Sequence, residues 1–176
     1  VHRFIQIELI VGLLGGFSAV GLFFAFAWLP GPFRLFLYLL VFAVGVLVGL
    51  EIPLVMRILK GELAFKDLVS QVLTFDYLGA LAVSILFPLL LAPHLGLVRT
   101  GLLFGLLNIA VALWAVHLFR ARLPAGPALT AQCWAAFFAV ATGLVAAGPL
   151  TTLAEAHLYA DEIVHTESTP YQRIVV

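Results

Sequence analysis

Two carboxylates inside long apolar runs are the side chains best placed to do chemistry: Glu51 and Asp76. An ionisable group in such a run is costly to keep from water, so it either pairs with a neighbour or handles ions or protons. Glu51 lies in Gly45-Val46-Leu47-Val48-Gly49-Leu50-Glu51-Ile52-Pro53-Leu54. Pro53 removes the backbone donor that would bond the Gly49 carbonyl. A carboxylate beside a kink and a free carbonyl could bind a cation or carry protons. The simpler reading of Glu51 is a hydrogen bond to a neighbouring helix or an ion pair with Arg57. Asp76, in Thr74-Phe75-Asp76-Tyr77-Leu78-Gly79, suits a helix start, where it or Thr74 could cap. It could otherwise form a buried ion pair with Arg57 or Arg99, or share a cation site with Glu51. Glu8, early in its run, can snorkel or pair with Arg3. Glu51 and Asp76 both lie toward the loop between their runs, which favours a structural role over a transport site at mid-depth.

Other chemistry is sparse. His94 and His117 stand alone, with no His, Cys or carboxylate at ligand spacing, so no metal site is expected. No Gly-x-Gly-x-x-Gly, P-loop, Gly-x-Ser-x-Gly or His-Glu-x-x-His motif occurs, and no catalytic set is recognisable. Cys133 is the single cysteine, so it forms no internal disulfide. Gly45/Gly49 and Gly101/Gly105, each four apart, would let another backbone approach closely. Asn108 and Ser84 suit interhelical hydrogen bonds, and Trp28, Trp114 and Trp134 suit interface belts or lipid contact.

The elements that carry these residues follow from composition. The 176 residues are 64% hydrophobic, and 10% carry charge against about 25% in soluble domains. Mean hydropathy is +1.17. So few charges exclude a water-soluble enzyme, a nucleic-acid binder, a disordered chain and a disulfide-rich secreted domain; the zero net charge points to no polyanionic partner. The reading is an all-α multi-span transmembrane helical bundle, partnered by the lipid bilayer, with a short β-hairpin-like soluble C-terminal tail. About five spanning helices are predicted over 5–29, 33–56, 73–92, 98–119 and 128–150, each near the 20 residues that a core of about 30 Å needs. Residues 61–71 suit an amphipathic helix in the interface. Residues 1–150 form the transmembrane domain. Residues 151–176, which hold four of the nine acids, read as a water-exposed linker and the start of a truncated soluble domain, with short strands at 162–167 and 171–176. The start at Val1 and the strand-like end suggest a fragment. Six basic residues on one side (Arg3, Arg57, Lys60, Lys66, Arg120, Arg122) against three on the other (Arg34, Arg99, Arg173) put the Val1 end in the cytoplasm and the tail outside.

Three stretches together are familiar: Gly49-Leu50-Glu51-Ile52-Pro53-Leu54; Phe75-Asp76-Tyr77-Leu78-Gly79-Ala80-Leu81, continuing to Phe87-Pro88-Leu89; and Leu158-Tyr159-Ala160-Asp161 followed by Thr169-Pro170-Tyr171-Gln172-Arg173-Ile174. In this order and spacing the chain resembles the membrane-bound polyamine aminopropyltransferases (spermidine synthases), in which a multi-span domain precedes a soluble catalytic domain. The resemblance covers essentially the whole chain and implies a multi-pass protein of a cell membrane, the bacterial inner membrane. It implies aminopropyl transfer from decarboxylated S-adenosylmethionine to putrescine, both being substrates rather than resident cofactors. Gln172 matches the Gln of the family's Tyr-Gln pair, which contacts the thioadenosine part of the nucleotide; otherwise it is a solvated strand residue. The family's Gly-rich loop and its amine-binding acids, set in a doubly wound sheet, would lie beyond Val176. The chain alone is therefore expected to be inactive. The family's cytoplasmic substrates conflict with the basic-residue count for the tail. Two other readings stand beside this one. One is a free-standing transporter or channel subunit using Glu51 and Asp76; the other is a structural module that forms homo-oligomers through its Gly-x-x-x-Gly faces.

Overall fold

Runs of Leu, Val, Ala and Phe with few polar breaks leave the backbone to bond itself, and most of the chain is helical. The computed structural model describes residues 1–60, 64–123, 126–158, 164–168 and 173–176. In order come α1 (His2–Gly16), α2 (Ser18–Trp28), α3 (Phe33–Leu59) and α4 (Phe65–Leu86). A π-helical turn, Phe87–Leu91, leads into α5 (Ala92–Leu118); a 3-10 turn, α6 (Gly126–Val145) and α7 (Ala147–Leu158) follow. The strands β1 (Thr166–Ser168) and β2 (Arg173–Val175) pair antiparallel, with Glu167 opposite Ile174.

The core lies where α1, α5 and α6 meet. Ile5, Leu102, Ile109, Cys133 and Val140 are fully buried there. Glycine sets the distance between α1 and α5. A Cβ on Gly105 would stand 2.5 Å from the Gly12 carbonyl oxygen and 2.9 Å from the Gly16 Cα. Gly12 faces Ile109 and Gly105, and Gly16 faces Gly105 and Gly101, so the two helices cross antiparallel with backbones in contact. Gly101 and Gly105 thus pack as the sequence suggests. Gly45 and Gly49 do not: among the described residues, nothing from another element lies within 4 Å of a Cβ built on either. The helix that carries them, α3, has no buried residue, and α4 buries only Leu68. Both present wide apolar faces that this chain leaves uncovered, among them Phe42, Phe75 and Leu81.

Several boundaries differ from the sequence reading. The run 5–29 is two helices bent by 44° at Phe17, where Ser18 Oγ donates to the Gly15 carbonyl and a Gly-Gly-Phe-Ser step loosens the ladder. Residues 65–71 are not a separate interfacial helix but the first turns of α4, continuous with the run at 73–92. The expected link at Pro93–Gly96 is mostly helical, and Gly96 alone breaks it at φ +75°. The reversal there is sharp. Thr100 Oγ1 reaches the Leu91 carbonyl at 3.3 Å, whereas nine residues of unbroken helix would separate them by about 13 Å.

Residues 147–158 form α7, a helix that crosses the expected boundary at 150/151. Thr151 and Thr152 donate to the carbonyls four residues back, which satisfies them within the helix. Ala154 and Glu155 are buried, and the His157 ring stacks on Trp28 at 4.7 Å. The predicted strands at 162–167 and 171–176 overlap the observed hairpin. Residues 162, 163, 171 and 172 lie outside the described residues. Three described helices are long and apolar enough to cross a membrane, with Phe65–Leu118 counted as one, and a fourth if α1 and α2 act together.

Candidate functional site

Glu8, Glu51 and Asp76 come together. An open cavity of about 400 Å³ lies among α1, α3, α4 and α5, and all three carboxylates line it. Helical spacing explains the meeting. On α3, Glu51, Ile52, Val55 and Leu59 share one face; on α4, Leu68, Gln71, Val72, Phe75 and Asp76 share another. Phe4 and Glu8, four apart on α1, close the cavity with Val111 of α5. The walls are therefore alkyl and aromatic, interrupted by three acids and one amide.

The polar groups are poorly partnered. Glu8 is 6% exposed and has neither hydrogen bond nor ion pair among the described residues. Glu51 is half-buried, and its Oε1 is fully enclosed without a hydrogen-bond partner. It lies within electrostatic reach of both Glu8 and Asp76. Asp76 stands at the exposed rim. No group of three His, Cys, Asp or Glu among the described residues converges tightly enough to hold a metal ion.

These placements overturn the simpler readings. Glu8 does not pair with Arg3, nor Glu51 with Arg57, and both arginines point to the exposed surface. Asp76 caps nothing: α4 starts at Phe65 with Ala64 as its N-cap, so Asp76 sits in mid-helix. Thr74 bonds back to the Ser70 carbonyl. Neither Arg57 nor Arg99 pairs with Asp76; Arg99 lies against Gly148 at the other end of the bundle. What does hold is that Glu51 and Asp76 face the same cavity. Glu8 is the member that sequence reasoning missed. Its signal was spacing: Glu8, Gly12 and Gly16 recur every four residues, so Glu8 shares the face that packs on α5. Gln172 lies outside the described residues.

The comparisons with known proteins agree in one respect. The chain is 57% identical, over 99% of its length, to a protein named polyamine aminopropyltransferase 2 of Ralstonia nicotianae. It is 47% identical over its full length to a polyamine aminopropyltransferase of Leptospira interrogans. Over 98% of its length it is 37% identical to the protein of that name in Mycobacterium tuberculosis. Its homologues are thus polyamine aminopropyltransferases, matched along the whole chain. The chain spans about a third of their length: 35% of each of these three. No protein-family profile matches the chain, and no solved structure matches it.

Proposed function

We propose that this chain is the membrane-embedded helical domain of a polyamine aminopropyltransferase. One observation carries the reading: homology along the whole chain to proteins of that name, of which it covers only a third. The uncovered apolar faces of α3 and α4 support a bilayer as the surrounding medium, since water would not tolerate them at this extent. The reaction in question transfers an aminopropyl group from a sulfonium to an amine. That step needs carboxylates to orient and deprotonate the amine and a pocket for the nucleoside. This chain contains no glycine-rich nucleotide loop. Its role in the reaction is accordingly to hold the catalytic part at the membrane.

The test joins this chain in frame to the remaining two-thirds of the Ralstonia protein and compares the fusion with the chain alone. Aminopropyl transfer is followed by release of methylthioadenosine. The fusion is expected to be active in the membrane pellet and to stay there through alkaline extraction, while the chain alone shows no transfer. Transfer by the chain alone, or fusion activity that is released as soluble protein, contradicts the reading.

A further inference from the structure

We infer that the cavity lined by Glu8, Glu51 and Asp76 is a binding site for a flexible alkyl cation carrying two or more ammonium groups. The acids alone would not make this case. It rests on Glu8, which is more than nine-tenths buried, unpartnered, and part of the cavity wall, and on the enclosed, unbonded Oε1 of Glu51. Carboxylates stripped of water and left without partners destabilise a fold unless something bound to them compensates.

The chemistry of the occupant follows from the arrangement. The carboxylates do not converge on a point, so a compact metal ion finds no coordination sphere. Each comes from a different helix, α1, α3 and α4, so the charges are spread along the cavity wall rather than gathered. Between the charges the walls are apolar, from Phe4, Ile52, Val55 and Phe75. Separate carboxylates set in an apolar wall complement ammonium groups separated by methylenes. The Gln71 carbonyl offers a further acceptor for an N–H donor. The inference does not rest on the transferase reading.

The experiment uses the chain in nanodiscs of phosphatidylcholine and phosphatidylglycerol, which present no primary amine, titrated calorimetrically with 1,4-diaminobutane. Saturable binding is expected. Glu8→Gln and Glu51→Gln should each weaken it by about tenfold or more, while Asp67→Asn, exposed on α4 away from the cavity, leaves it unchanged. Butylamine and magnesium should bind at least about tenfold more weakly. A second readout needs no variant: a hydrophobic carbodiimide should modify Glu8 and Glu51, and saturating diaminobutane should slow that reaction. The inference is overturned by any of four results. These are no saturable binding to a chain that is helical by circular dichroism, equal affinity in the Gln variants, butylamine binding as well as the diamine, or carbodiimide labelling indifferent to the diamine.

Discussion

Glu8 shows how much a single side chain can say about a bundle. A carboxylic acid kept from water without a partner opposes folding, and its place in the wall of a cavity gives that cost a use. Glu8→Met, of similar length and apolar, is expected to raise the stability of the empty chain by about 1–3 kcal/mol, read as thermal unfolding in detergent by circular dichroism. The same variant should lose its response to added diaminobutane. A fall in stability would mean that the carboxyl supports the fold directly. At this scale the sequence was partly legible. Glu51 and Asp76 stood out because they interrupt apolar runs. Glu8 does so equally, but Arg3 nearby offered an easy partner, and only the packing of α1 on α5 shows that the acid turns the other way.

The helices show where sequence patterns stop discriminating. Gly45/Gly49 and Gly101/Gly105 are the same pattern, yet α5 brings its pair into backbone contact with α1 and α3 leaves its pair in open space. Gly105→Ala forces a methyl against the Gly12 carbonyl and should cost about 1–3 kcal/mol as the helices part. Gly45→Ala should be neutral or slightly stabilising, since Ala is the better helix former. Unfolding of both variants in one detergent checks the contrast, and equal effects would contradict the observed α1–α5 crossing. The apolar runs located the helices well because a long unbroken run has few alternatives. Ends and joins were harder. The bend at Phe17 depends on a local serine bond, and the reversal at Gly96 occurs inside what is otherwise helix. The helix α7 was hidden because its acids and threonines read as solvent signals, although its threonines are satisfied internally and its Glu155 is buried.

For the whole molecule, the structure gathers the charges by end. The antiparallel crossing of α1 and α5 and the shared cavity place the start of α1, the end of α3, the start of α4 and the end of α5 together. Arg3, Arg57, Lys60, Lys66 and Arg120 belong to that end, and Arg34 and Arg99 to the other. If the bundle spans a bilayer, the excess of basic residues predicts that this end faces the cytoplasm. Composition alone motivates the proposed membrane setting, and the comparisons add that the chain spans about a third of the length of its relatives. The central claim is that the bundle crosses the bilayer. The most direct test labels single cysteines with a membrane-impermeant maleimide in bacterial cells expressing the chain, with fully buried Cys133 as a silent background. Gly31→Cys, in the exposed turn before α3, should react in intact cells, and Lys60→Cys, at the far end of α3, only after lysis. Reaction of both positions from the same side of the membrane would contradict the account.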